Sequence, residues 1–519
     1  MGKANHKVES AIIIIIFTLI SKILGFLREV LIAAKFGSGI ETDTFFIAIA
    51  ATSLLTGFLT NAIGTTFIPV LSEIEAKEGK KGKIEHMNNV GNVIFVISIF
   101  LVLIGVIFTP FIIKIIAKGF EGDQFALAVK LTRIGFPMIL FSGITGVFTA
   151  YLHSENRFTS PAASGVPLNI SYIIFLLFLS PIFGIKGLMV SVVIGVAFQF
   201  LIQLPEAKIA GYKYELRFDL KDQYIKKVLL LSVPVLIGVA IDDLNGIVDK
   251  SLASNLVSGS ISALNYASKL NGLILSVFIS AIVKVIFPML SKKSNDNDIV
   301  GLKKMMGRGM DLLLIITVPA TVGLIVLSTP IIQIAFQRGE FDILATSMTS
   351  IALKFYAIGL VAMAVKLLLT RVYYSLQDTK TPMINAGIAV AFNIGLNLIL
   401  VRYMAHAGLA FATSISTIIT SLLLFYGLKK KIGALGTKGY LVTFFKIGVA
   451  SIIMGGVSYF IYYSLYRILG ISKINNLLSL LSAILIGAII YGVLCYLFKV
   501  REVRNLVDSI SEKINFRAK

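Results

Sequence analysis

The chain is poor in the groups on which most protein chemistry is built: one cysteine, Cys495, and four histidines in 519 residues. A single cysteine excludes an intrachain disulfide, and His6, His86, His153 and His406 share no ligand spacing, so no structural metal site is indicated. A Gly-rich phosphate loop is missing, as is any Cys–His or Ser–His–Asp set, and the loops between apolar runs are too short for a catalytic domain. The chain is therefore not expected to be an enzyme. Charge is scarce too: 14% of residues are charged against 56% hydrophobic, and the mean hydropathy is +0.89. No soluble globular protein has this composition; it is that of a polytopic membrane protein. The first apolar run lacks a small-residue cleavage site and is followed by others, so it reads as a retained helix and not as a signal peptide.

What charge there is leans basic, to a net +21. The lysines and arginines fall in juxtamembrane loops without aromatic interleaving, which points to chain orientation and anionic lipid and away from nucleic acid. With a cytoplasmic N-terminus, "EAKEGKKGKIEH", "SKKSNDNDIVGLKKMMGR", "KKKIGALGTK" and the tail fall on one side, against sparsely basic loops such as "SNLVSGS" and "GFEGDQ" opposite. The positive-inside rule then places both termini in the cytoplasm.

Apolar windows bounded by Gly, Pro and charge predict an all-α chain of about fourteen transmembrane helices: 11–36, 43–71, 90–117, 125–153, 161–182, 185–205, 228–254, 259–290, 305–336, 343–376, 382–403, 408–428, 439–467 and 474–498. An internal repeat runs through them. "FIPVLSE" at 67–73 returns as "IFPMLSK" at 286–292, and Pro69, Pro110 and Pro161 recur as Pro288, Pro330 and Pro382, at offsets of 219, 220 and 221. Six helices per unit keep both copies in one orientation, a parallel repeat of the kind found in transporters. The predicted division is 1–220 for a first lobe (helices 1–6), 221–435 for a second (helices 7–12), 436–500 for two further helices and 501–519 for a basic tail.

Polar residues inside these helices are few and grouped. A charge deep in hydrocarbon costs about 2.5–3.5 kcal/mol even on lenient scales. Yet helix 1 carries Lys22, Arg28 and Glu29, with Ser21, Gly25 and Arg28 on one stripe and Lys22 and Glu29 on the next. Gly25 admits close approach and is a bending point. Helix 7 brings Asp242, Asn245 and Asp249, helix 8 brings Lys269 and Asn271, and helix 2 brings Thr56, Thr60 and Asn61. Cations gathered in a wet cavity call for an anionic ligand, and a diphosphate is the obvious one. The other reading of Arg28 and Glu29 is a pair snorkelling at the outer interface. Asn393, Asn397 and Thr413, joined by Asp249, form a hard-oxygen set suited to Na⁺; helix-packing polar residues would give the same pattern.

The stretches "SKILGFLREVLIAAKFG", "TDTFFIA", "LTRIGFPMILFSG", "NRFTSPAASGVPLNI", "GSISALNYASKL", "FQRGEFD" and "LQDTKTP", in this order over residues 10 to 430, resemble the MurJ-type (MviN) lipid II flippases. These belong to the multidrug/oligosaccharidyl-lipid/polysaccharide exporter superfamily. The resemblance implies two lobes around a cationic cavity, with helices 13 and 14 bordering a groove for a lipid tail. It implies transport of undecaprenyl-diphosphate-linked lipid II from the inner to the outer leaflet of the bacterial plasma membrane by alternating access. It carries the substrate site over to Ser21, Lys22, Arg28, Glu29 and Lys269, beside Asn61, with Gly25 as hinge, and a Na⁺ site to Asp249, Asn393, Asn397 and Thr413. In the family Lys22 and Lys269 are usually arginine and Glu29 aspartate, and an arginine due near Thr56 or Gly57 is missing here. That loss supports the alternative substrate, another undecaprenyl-linked oligosaccharide. A drug exporter of the superfamily would need acids in the first lobe, and a non-transporting scaffold would tolerate loss of Arg28. The expected partners are the lipid-linked glycan, membrane lipids and cell-wall synthesis proteins, for a monomeric protein with no cofactor beyond Na⁺ as a coupling or structural ion.

Overall fold

A computed structural model describes residues 2–470, 472–504 and 508, and all regular structure among them is helical. Three continuous helical stretches are each two helices joined at one residue of positive φ: Ile40–Ile116 at Gly79 (φ 71°, ψ −173°), Ser180–Leu201 at Gly184 (φ 54°, ψ −154°) and Lys380–Ile432 at Ala405 (φ 48°, ψ −132°). These breaks fall between the spans read from the sequence. Among the described residues eight helices are long and apolar enough to cross a membrane, or nine when Ile343–Ile358 and Leu360–Ser375, bent by 44°, are one span. The first helix, Gly2–Phe36, runs through Gly25 without a break.

The surface is inverted relative to a water-soluble protein. Phe100, Ile107, Phe178 and Ile182 are more than 60% exposed, while Thr52, Thr109, Asn89 and Lys83 are fully buried. Apolar side chains outward and satisfied polar groups inward is the arrangement hydrocarbon solvent demands. Buried hydroxyls can be satisfied within their own helix, as those of Thr52, Thr109 and Thr145 are by donating to the carbonyl four residues back.

The chain divides into two compact units, residues 1–262 with 338–342, and residues 263–337 with 343–519. In the first, Ile63, Phe67, Val70 and Leu71 of the second helix pack with Val147, Phe148 and Tyr151, and with Tyr224, Ile225 and Val228. Helix Gln223–Ala253, the seventh of the sequence reading, thus packs within the first unit, where Ser232 and Thr66 hydroxyls meet at 3.2 Å. The core of the second is built by Val283, Ile286, Leu313, Leu368, Leu369 and Leu424, with helices Thr437–Leu469 and Lys473–Leu497 joined where Ser458 donates to Ala483 O.

The duplication is visible in local geometry. Asn156 and Gln377 both take φ 58°. The residues that follow close identical turns, Arg157 N to Leu152 O (2.8 Å) and Asp378 N to Tyr373 O (3.0 Å). The next helices start at Thr159 and Lys380, each with its landmark proline in the first turn, where no N–H is needed.

Candidate functional site

The predicted site begins on the first helix. Arg28 spreads its guanidinium over three neighbours: Nη2 donates to Glu29 Oε1 (2.7 Å), Nη1 donates to Asn169 Oδ1 (3.1 Å), and the group sits 4.8 Å from the Tyr172 ring centroid. Asn169 is aimed by its own amide, which donates to Ser21 O (3.1 Å) and Gly165 O (2.8 Å). Gly25 faces this amide, and a Cβ there would stand in ordinary contact with Asn169 Oδ1 at 3.7 Å. Glu29 is 3% exposed, whereas the Arg28 side chain keeps 19% of its surface open. This is a charge-assisted cluster in which a planar cation is held from two sides and stacked on a ring, with a face left over.

Ser21 is half-buried and Lys22 is exposed, with no ion pair among the described residues. The side chains of Asn61 and Asp242 lie outside the described set. Lys269 belongs to the second unit and is exposed, while its neighbour Asn271 is buried and donates to Met363 Sδ at 3.7 Å.

Three of the four predicted cation ligands meet in the second unit. Asn397 Nδ2 donates to Asn393 Oδ1 (2.7 Å) and Asn393 Nδ2 to Thr413 Oγ1 (3.5 Å), with both asparagines buried. Asp249 is half-buried on helix Gln223–Ala253 of the first unit. Among the described residues no group of three His, Cys, Asp or Glu is placed to hold a metal ion, so a cation at this site would rest mainly on neutral oxygens.

Sequence reasoning missed the partners of Arg28. Asn169 and Tyr172 follow it by more than 140 residues, and the one available signal was an asparagine inside the apolar run "VPLNISYII". It also missed Asp43, whose buried carboxylate caps helix Ser260–Ile274 by accepting from Gly259 N, Ser262 N (both 2.7 Å) and Ser262 Oγ (2.5 Å). At the same end Glu340 N donates to Ala34 O and Ser38 Oγ to Gly259 O (both 3.0 Å). Gly37 and Gly259 are obligatory there, with φ of 66° and 91° and backbone oxygens within 2.6 Å of where a Cβ would stand.

A second polar network lies at the end of the first unit where the basic loops are. Lys83, fully buried, donates to Glu75 (2.7 Å) and Glu155 (2.6 Å). His86 places Nδ1 2.5 Å from Asp222 Oδ2 and Nε2 2.9 Å from Glu78 Oε2. Burial disfavours the Asp222 charge, but the Tyr224 amide, Asn89 and His86 outweigh it and hold that carboxyl below its usual range. Asn88, Asn89 and Asn92 donate to the carbonyls of Lys213, Asp219 and Arg217, pinning the extended segment 213–219 along their helix.

Comparison with known proteins adds the following. Residues 32–495 match the family model described as "Lipid II flippase MurJ". The chain is 32% identical to the probable lipid II flippase MurJ of Vibrio cholerae over 82% of this chain and 83% of that one. It is also 32% identical to the protein of the same description from Buchnera aphidicola subsp. Schizaphis graminum, over 97% and 99%. Among solved structures it is similar to "Lipid II flippase MurJ, inward closed conformation", with a TM-score of 0.80, 30% identity and coverage of 96% and 100%. An inward-facing multidrug MATE transporter of the MOP superfamily shares the fold at a TM-score of 0.68 and 11% identity, over 82% and 99%.

Proposed function

This chain belongs to the MurJ family of lipid II flippases, and on that premise we propose that Arg28 is the anchor for the diphosphate of the lipid it moves. The protein is a multi-pass membrane transporter that flips lipid II, and not an enzyme. The observation that carries the anchor is the guanidinium's own arrangement: Nη2 and Nη1 held by Glu29 and Asn169, the Tyr172 ring against the group, Nε buried without a hydrogen-bond partner, and 19% of the side chain still exposed. Such a group is oriented before ligand arrives, and a diphosphate gains the fork's geometry as well as its charge. Ser21, Lys22 and Asn61 on the first lobe and Lys269 on the second complete the substrate site in this reading, with Gly25 as the point where helix 1 bends during the cycle.

The lobes, 1–220 and 221–435, alternate access to the two leaflets, and the segment 436–500 carries the groove for the polyprenyl tail. An apolar cavity of about 820 Å³ in the second unit supports that assignment, with Phe444, Phe445, Val449 and Ile452 of helix Thr437–Leu469 facing Leu314, Val318 and Phe425. Both termini, with the tail 501–519, face the cytoplasm, so transport runs outward. Each negative charge then gains about 2.3 kcal/mol per 100 mV of inside-negative potential. The protein works as a monomer beside the enzymes of wall synthesis. Na⁺ fits the oxygens of Asn393, Asn397 and Thr413, with Asp249 supplying the charge. Ligand linkage then requires that Na⁺, and not K⁺, raise the melting temperature, and that Asp249→Asn erase the difference.

The deciding test is rescue of a strain depleted of its own lipid II flippase. Wild type restores growth, Arg28→Ala does not at equal membrane abundance, and Arg28→Lys restores it in part; full rescue by Arg28→Ala overturns the anchor.

A further inference from the structure

We propose that a pocket in the first unit, remote in sequence from Arg28, binds one anionic phospholipid, with an acyl chain inside it and the phosphate held by Lys208 and Lys213. The pocket is about 620 Å³, within the range of small-molecule sites, and its floor is apolar: Met87, Phe95, Ile144, Val147, Phe148 and Phe200. Phe95 of its lining is itself exposed, as are Val96, Ile99 and Phe100 that follow on the same helix, which gives an acyl chain an apolar approach.

The polar groups at its mouth divide into two kinds. Asn88 and Asn92 are committed: each donates to a carbonyl of the 213–217 segment and accepts from a tyrosine hydroxyl, Tyr212 or Tyr214. Lys208 and Lys213 line the same pocket, are exposed, and make no ion pair among the described residues. No carboxylate lines the pocket. The nearby acids are engaged elsewhere, Glu206 with Ser160 N (2.8 Å) and Glu85 with Arg217 (2.5 Å), and Glu215 is outside the lining. A soluble anion would need no apolar floor, and a neutral tail would need no ammonium groups. The combination selects an amphiphile with an anionic head, at the bilayer boundary where the basic loops lie. This inference requires only that the chain spans a membrane and is independent of the Arg28 reading.

The test is native mass spectrometry of the full-length protein equilibrated with equal phosphatidylglycerol and phosphatidylcholine. Two interfacial lysines predict at least about tenfold preference for the anionic lipid. Lys208→Gln with Lys213→Gln, both surface changes, should bring the preference within twofold, while Lys429→Gln with Lys430→Gln, elsewhere on the surface, should leave it intact. Gly91→Phe should expel lipid of either kind from this site, because a Cβ at Gly91 stands 3.9 Å from Val147 Cγ1 and the ring enters the cavity. Equal retention of both lipids by wild type, an undiminished preference in the double lysine variant, or equal retention of uncharged diacylglycerol would each overturn the proposal.

Discussion

Lys83 and Lys22 belong to the same unit and carry the same ammonium, yet their surroundings could hardly differ more. Lys83 is fully buried against two carboxylates and 5.7 Å from the Tyr151 ring centroid. Lys22 is exposed on a membrane helix and makes no ion pair among the described residues. Desolvating a charge costs several kcal/mol, and only full pairing offsets it, so a saturated lysine is a structural element. In the function proposed above, an uncommitted one in an apolar chain is a cost carried for a ligand. Arg28 stands between the two: enough partners to fix its orientation, not enough to occupy it.

The sharpest way to break this contrast is to neutralise each lysine in turn. Lys83→Met should destabilise the protein by about 3 kcal/mol, since it takes the buried partner from Glu155 and leaves that carboxylate only the exposed Lys80 at 3.6 Å, and the loss will show in thermal melting of the purified protein. Lys22→Met should leave the melt unchanged while lowering transport in the rescue assay; the opposite pattern would dissolve the distinction. A smaller effect separates the ring from the hydroxyl beneath Arg28. Tyr172→Leu should cost about 1–2 kcal/mol and reduce rescue, whereas Tyr172→Phe, which keeps the π face, should be nearly silent in both measurements.

The smallest effect is one of pH, at a saturated group of the second unit outside the spans. Burial raises the Asp378 pKa, but Lys431 at 2.6 Å and the Thr381 amide and hydroxyl outweigh it and bring the carboxyl to about 2. A depressed carboxylate contributes stability above its unfolded value, about 3.9, and loses it as pH falls toward 2. Asp378→Asn should therefore melt below wild type at pH 6, with the gap closing between pH 4 and pH 2.

Much of the fold could be read from punctuation. Gly79, Gly184, Pro161 and Pro382 stand at breaks or first turns because few residues tolerate those backbones, and that preference is local. Arg28 and Glu29 were legible for a different reason: adjacent charges in an apolar run are conspicuous wherever the chain goes next. Asn169, Tyr172 and Asp43 were not. Their significance lies in which helix end or guanidinium they meet, and periodicity within one helix carries no information about a partner far along the chain. Ala405 was hidden too, since alanine gives no hint of a left-handed backbone.

The amide ladder of Asn88, Asn89 and Asn92 bears on the history of the molecule. One repeat length of 220 residues later stand Arg308, Gly309 and Leu312, which offer no amide side chain, and Gly309 is instead closed over by Ile286 and Leu368. The ancestral unit therefore had either a ladder that one copy lost or none until the copies were fused. In both cases the ladder serves the segment that leads from the first repeat into the second. Fusion turned two interchangeable partners into a first and a second, and three asparagines on the first record the order.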